Sequence, residues 1–341
     1  MRKPIVSLDA VLVEITKLSP DDEAGCIDAV GIKNAVLAQD CPEMVPSTPR
    51  GFANMLRYGW DLEPGHAFLA RDADGTAVGV LNVDVNLYDN TNQVWIDVDV
   101  HPDHHGRGIG SALVERAEAF TRELGRDTIG YGCLDLPADD EFARAHGFEQ
   151  KAIEVNRRQD LSTLDWDVVQ RMYDEAVAAS TGYELTMLTG ALPGDLLEPM
   201  VELTGSINDA PKDDLDLEDD VFSPERLRAY EEAQAKSDHT IYRVIAREKA
   251  TGALAGHTVI AVERERPHLG EQHDTAVARA HRGHRLGALV KSAMLLWLRE
   301  AEPQLARVDT WNAESNNHMI GINEKLNYQI VTRTLAYQKT I

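Results

Sequence analysis

Long apolar runs are missing from this chain: no stretch of 18 apolar residues occurs, so nothing in it reads as a membrane-spanning helix. The opening residues, MRKPIVSLDA, lack the apolar core of a signal peptide, which predicts no export. Cysteine is scarce. Cys26, Cys41 and Cys133 are odd in number, and their spacing suits neither a disulfide framework nor a zinc site. These absences predict a reducing, cytoplasmic setting. Positive charge is short as well: 34 Lys and Arg stand against 57 Asp and Glu, a net charge of −23. Both halves share the imbalance, with 15 against 28 over residues 1–160 and 19 against 29 over 161–341. Neither half carries the footprint of a nucleic-acid binder. Two readings of the acidity stand side by side. One is solubility; the other is an acidic mouth that draws in a cationic substrate.

What is present is a repeat. Residues 98–113 read VDVHPDHHGRGIGSAL and residues 275–290 read TAVARAHRGHRLGALV. Each is a β-rich stretch, a basic glycine turn and an apolar-periodic helix. Their final glycines, Gly110 and Gly287, lie 177 residues apart, and each copy is followed by a second landmark, His146-Gly147-Phe148 or Leu326-Asn327-Tyr328. A repeat of this length is a whole domain rather than a solenoid unit. The 341 residues therefore divide into 1–160 and 161–341, with a connecting helix near 161–180.

Strand and helix signals alternate in both halves, which predicts an α/β fold. In the first half, strands are expected at 11–17, 66–71, 77–87, 93–100 and 127–133 and from Phe148, with Asp74-Gly75 turning a hairpin. Ser19-Pro20-Asp21-Asp22-Glu23 opens a helix with a cap and an acidic first turn, and further helices are expected at 109–124 and 138–146, the first with Leu113, Ala117, Phe120 and Leu124 on one stripe. The second half predicts strands at 183–189, 241–247, 253–262, 272–278, 306–311 and 328–339. Its helices fall near 194–207, 286–299 and 316–326. Trp297 and Trp311 read as core residues. Residues 209–220, with seven acids and one lysine, read as a solvated loop that also suits the rim of a substrate mouth.

One island breaks the acidity. From 275 to 299 there is no acidic residue, while Arg279, Arg282, Arg285, Lys291 and Arg299 fall there with His281 and His284. The charges gather in the glycine turn, where a helix N-terminus already favours anions.

These motifs resemble the acyl-CoA-binding core of the GNAT N-acetyltransferase superfamily, whose signature is V-x-P-x-x-[Arg/Gln]-x-x-Gly-x-[Gly/Ala]. Val100 to Gly110 follows it except that His105 replaces Arg/Gln. Val277 to Gly287 keeps Arg282 and Gly287, with Arg279 for the proline and Arg285 for the inner glycine. The resemblance implies two tandem domains, a layout known among actinobacterial acetyltransferases. Each would have a mixed sheet whose fourth and fifth strands splay apart. It also implies that acetyl-CoA binds at the turns, with the pyrophosphate on backbone N–H groups and the pantetheine arm in the splay. The implied contacts are Val98, Val100, His105, Gly106, Arg107, Gly108, Ile109, Gly110 and Ser111 in the first copy. In the second they are Val277, Ala278, Arg279, Arg282, Gly283, His284, Arg285, Leu286, Gly287 and Ala288.

The family's second motif, N-x-x-A-x-x-x-Tyr-x-x-x-Gly-Phe, falls on 316–328. Asn316 keeps the asparagine that helps hold the pantetheine arm, and Asn323 stands where the acidic tyrosine would be. The first half has Leu136 and Ala143 at these places, so neither half shows the usual proton donor. For the base the resemblance points to the fourth strand: Glu271, with His273 on the same face by alternation, and Asp274 if the strand bulges. The corresponding first-half position is Val94. The second half is therefore expected to be catalytic, moving an acetyl group to a primary amine of a small molecule by direct attack, since no cysteine sits in either motif, with a cationic acceptor where the acidity reflects substrate choice. The rival reading is a non-catalytic acyl-CoA-binding protein. No metal, nucleic-acid or membrane partner is expected, His101-x-x-His104-His105 lying inside the phosphate turn, and the sequence leaves the oligomeric state open.

Overall fold

The computed structural model describes residues 13–341, which form two compact units. The first comprises 13–59, 63–150 and 336–341; the second comprises 60–62 and 151–335.

In the first unit the expected order is present. The strands are β1 (Glu14–Leu18), β2 (His66–Arg71), β3 (Ala77–Val85), β4 (Gln93–Val100) and β5 (Thr128–Leu134). The helices are α1 (Glu23–Asp40), α2 (Pro49–Tyr58), α3 (Ile109–Glu123) and α4 (Pro137–Ala145). Residues 11 and 12 of the first expected strand lie outside the described residues. Asp22 caps α1, its carboxylate accepting from the Gly25 N–H at 3.0 Å. Strands β1 to β4 run antiparallel, and β4 and β5 are parallel. The β4–β5 pairing runs from Gln93↔Thr128 to Ile96↔Tyr131 and stops there. Leu113, Ala117 and Phe120 of α3 are buried, but Leu124 is 38 % exposed, because the helix ends one residue before it.

The second unit holds most of β6 (Glu149–Asp160) and of β12 (Gln329–Thr340). Between them come β7 (Tyr183–Thr189), β8 (His239–Glu248), β9 (Leu254–Glu263), β10 (Leu269–Val277) and β11 (Arg307–Ala313). Its helices are α5 (Trp166–Ala179), α6 (Leu197–Thr204), α7 (Pro224–Lys236), α8 (Leu286–Ala301) and α9 (Asn317–Lys325). β7 to β10 are antiparallel, β10 and β11 parallel, and β11 pairs antiparallel with β6. The β10–β11 pairing ends at Gln272↔Thr310. Helices α5 and α8 bury Val169, Leu289, Val290, Ala293 and Met294 against one face of this sheet. The other face carries Met200 and Leu203 of α6 and Leu227 of α7 around Ile245. Trp297 packs edge-on to Tyr242, whereas Trp311, past the end of the β10–β11 pairing, is 37 % exposed rather than core.

Two helices lack any counterpart among the expected elements: α2 and α7. Each starts with the same device, a Thr48 or Ser223 side-chain cap followed by proline at the first helical turn. No helix among the described residues is long and apolar enough to cross a membrane.

Candidate active site in the second unit

The two glycine turns have the same backbone. Gly106 and Gly283 have φ of +72° and +87°, and a Cβ on either would meet nothing within 4 Å. The residue before each helix is left-handed, Gly108 at +79° and Arg285 at +57°. Neither α3 nor α8 has a side-chain cap, so their first N–H groups keep their hydrogen-bonding capacity. One side chain locks each turn to its strand: His105 Nε2 lies 2.8 Å from the Val100 carbonyl, and Arg282 Nε donates to the Val277 carbonyl at 3.2 Å. His105 therefore keeps the bond to the strand that Arg282 makes in the other unit. Gly110 and Gly287 allow close packing instead: a Cβ would stand 3.0 Å from Phe142 and 3.2 Å from Ile322. These open, uncapped, positive-φ turns fit a pyrophosphate. Arg107 is drawn to His104 and the Asp103 carbonyl. Val98, Ile109, Ser111, Ala278, His284, Leu286 and Ala288 line the two strand–turn–helix paths, with Ser111 bonded to His146 and His284 against Tyr183.

The basic island is not free. Arg279 and Arg282 both donate to Asp209, at 2.6 and 2.5 Å, and Arg285 to Glu175 at 2.9 Å. Lys291 does not join the turn at all. It is buried, and its Nζ donates to Asn323 Oδ1 at 2.9 Å. Burial pushes its pKa down to about 7. Asn323 passes a hydrogen bond on to Asn312 of β11 at 3.0 Å. Asn316 caps α9, accepting from the Met319 N–H at 3.3 Å. Asn327, the glycine substitute, has φ +60°, as Gly147 has +80° in the other unit; each ends its helix with the same left-handed residue.

The register of β10 slips between Gln272 and Thr275, directly after the last residue paired with β11. The bulge gives three acid–base side chains different surroundings. Glu271 is half exposed, 3.9 Å from His273 Nε2. Burial raises the pKa of Glu271, but contact with His273 outweighs it and leaves the carboxyl below its ordinary value. His273 is buried, its Nδ1 2.7 Å from the Tyr230 hydroxyl and its ring 4.4 Å from that of Trp60. Asp274 instead faces a cavity of about 230 Å³, lined also by Tyr230, Arg243 and His257. Burial raises the pKa of Asp274 against the opposing pull of His273, Arg243 and Arg226. Tyr230 and Arg226 come from α7, which the sequence reading did not resolve; the Ser223-Pro224-Glu225 start was the available signal.

The first unit has a counterpart with a different filling. Asp97 follows the last β4–β5 pair just as His273 follows the last β10–β11 pair. Burial raises the pKa values of Asp97 and Asp84, the latter to about 6. Lys33 of α1 reaches into this group, bonding Asp99 at 2.8 Å, and Asp99, Asp97 and Asp84 together raise its pKa against the effect of burial.

Comparison with known proteins agrees with this geometry. Residues 35–148 and 208–328 match the model of the Acetyltransferase (GNAT) family. A mycothiol acetyltransferase of Stackebrandtia nassauensis is 37 % identical over 119 residues, 33 % of this chain and 37 % of that relative. One of Geodermatophilus obscurus is 29 % identical over 101 residues, 30 % of this chain and 32 % of the relative. The matched stretches thus span about a third of the curated relatives. Among solved structures, a tandem GNAT protein from the clavulanic acid biosynthesis pathway shares 25 % identity over 96 % of this chain and 98 % of its own, with a TM-score of 0.78. A GCN5-related N-acetyltransferase from Sphaerobacter thermophilus is 16 % identical, covers 96 % and 95 %, and has a TM-score of 0.69. Two family matches, two glycine turns and two splayed strand pairs lead to one conclusion: the chain belongs to the GNAT acetyltransferase family and carries its domain twice.

Proposed function

We propose that the second unit transfers the acetyl group of acetyl-CoA to a primary amine of a small molecule, by direct attack in a ternary complex. Asp274 carries the reading. It is an acid of raised pKa that makes no ion pair among the described residues, placed where β10 leaves β11 and facing a cavity. The mycothiol acetyltransferase names of the relatives favour a small acceptor. In the proposed reaction the turn 283–287 and the start of α8 hold the pyrophosphate, with Arg282 fixing the turn to Val277. Past Gln272, β10 has lost β11 and offers its backbone edge to the pantetheine arm and the thioester oxygen. Asp274 takes the amine proton, the N–C bond forms and the C–S bond breaks. Thiolate protonation falls to solvent, since Asn323 replaces the family tyrosine. Glu271, expected as base, suits the role less well: it is half exposed and its pKa is held down.

The first unit reads as a non-catalytic partner. Its acids already have an ammonium among them in Lys33, where an acceptor amine would have to enter.

Asp274→Asn tests the assignment. Turnover should fall about 10²- to 10⁴-fold with little change in the KM for acetyl-CoA. A base works only when deprotonated, so wild-type kcat/KM should be lost as pH falls through the raised pKa of Asp274, and the variant should lose this acid limb. Full activity in Asp274→Asn would refute the role.

A further inference from the structure

Three side chains that line the Asp274 cavity carry polar atoms that the protein leaves unanswered. Asp61, Arg243 and His257 are only 2 %, 3 % and 2 % exposed. Asp61 Oδ1, Arg243 Nε and both ring nitrogens of His257 have no hydrogen-bond partner among the described residues. All three side chains line the same cavity. Leaving a buried polar atom unpaired is costly, so such a cluster on a cavity wall points to a ligand.

Strand register explains the grouping. Arg243 pairs opposite Val259, and Ile245 opposite His257, so Arg243 and His257 share one face of the β8–β9 ladder. That face is covered by α6 and α7, with Met200 and Leu227 forming apolar walls.

The chemistry of these side chains is mixed but neutral. Asp61 is balanced by Arg226 at 2.7 Å, and Arg243 by Glu231 at 3.2 Å. Burial, reinforced by Arg243, pushes the pKa of His257 down to about 3, so its ring is uncharged, with one nitrogen donating and the other accepting. Asp61 Oδ1 can only accept and Arg243 Nε can only donate. An alkyl group answers none of these atoms. A carboxylate has no proton for Asp61, and an ammonium has no lone pair for Arg243. Hydroxyls and carboxamides do both.

We propose that the acceptor of this unit is a compact primary amine whose remainder carries neutral hydroxyl or carboxamide groups, seated on Asp61, Arg243 and His257. The proposal rests on the acyl-transfer reading, in which the amine meets Asp274. The cavity, about 230 Å³, is below the usual size of drug-sized ligand sites and suits a small head group.

The test is calorimetric titration of the full chain with five amines of similar length: n-butylamine, 3-aminopropanol, β-alaninamide, β-alanine and 1,3-diaminopropane. The hydroxyl and carboxamide amines should bind about 10-fold or more tightly than the other three, because a site built for hydrogen bonds rejects analogues that lack them. His257→Leu should shrink that preference. Equal binding of n-butylamine, preference for β-alanine or the diamine, or no binding of any probe overturns the proposal, and the wild-type panel decides this even if the variant does not fold. Acetyl transfer without the preference removes the proposal and leaves the reaction standing. Preference together with full activity in Asp274→Asn removes the base and leaves the pocket.

Discussion

Lys291 shows how differently one residue can read in sequence and in space. By position it belongs to the basic island, yet it is buried and bonded only to an amide. Its folded pKa of about 7 lies below the ordinary 10.5, so burial penalises the charged form. The folded chain gives up this proton near pH 7 and the unfolded chain holds it to about 10.5. Stability from this group should therefore rise with pH across that window, and the full penalty is present below it. Lys291→Met should raise stability at pH 6 by about 1–2 kcal/mol, after allowing for the Asn323 oxygen it leaves unpaired, and the gain should fade by pH 10. Thermal unfolding of both proteins at the two pH values checks this; a pH-independent difference would contradict it. Nothing in the sequence marks Lys291 as internal, because its neighbours in space, Asn323 and Tyr328, are more than 30 residues away.

Among elements, the glycine turns were legible and their surroundings were not. Gly106, Gly108 and Gly283 lie in the turns that the repeat marks and have left-handed backbone there, and α3 and α8 start where the apolar period starts. The closing of the second turn by a carboxylate was hidden. Asp209 lies at the edge of an acidic run that reads as solvated loop, but it joins Arg279 and Arg282. An anion is thus already present on the guanidiniums nearest the proposed phosphate site. Asp209→Ala should tighten acetyl-CoA binding several-fold at low ionic strength, with the advantage shrinking as salt screens the exposed charges. Titration at about 20 and 300 mM salt would show it, and an unchanged Kd would mean that Asp209 does not compete. The bulge at 273–274 was equally out of reach. Alternation puts Glu271 and His273 on one face, but only the register against β9 and the end of β11 pairing decide where Asp274 goes.

For the whole molecule, the question is whether both units work. Gly283→Asp places a carboxylate in the turn proposed to hold the pyrophosphate, and Gly106→Asp makes the same change in the first unit. Neither added Cβ clashes, so each variant carries a similar backbone cost from its positive φ, about 1 kcal/mol. The Gly283 change should abolish turnover, by about 30- to 1000-fold in acetyl-CoA affinity, and the Gly106 change should leave most of it. Steady-state kinetics with circular dichroism as a folding control decides this; loss only in Gly106→Asp would reverse the assignment. Lys33 is the physical reason to expect this asymmetry. Both units keep an acid within two residues of the last pair of the fourth strand, Asp97 and Asp274, but only in the first does a lysine of the same unit already stand beside it.

The sequence by itself determined the repeat, the α/β order, the glycine turns and hence the acyl-CoA-binding family, because these depend on local backbone demands and short-range periodicity. Tertiary structure alone decided which acid faces the cavity, which carboxylates hold the arginines of the second turn, that α7 supplies Tyr230, and that Asp61, Arg243 and His257 line one cavity. Those outcomes depend on strand register and on contacts between residues far apart in the chain, such as Trp60 and His273, 213 positions apart, which no local pattern encodes.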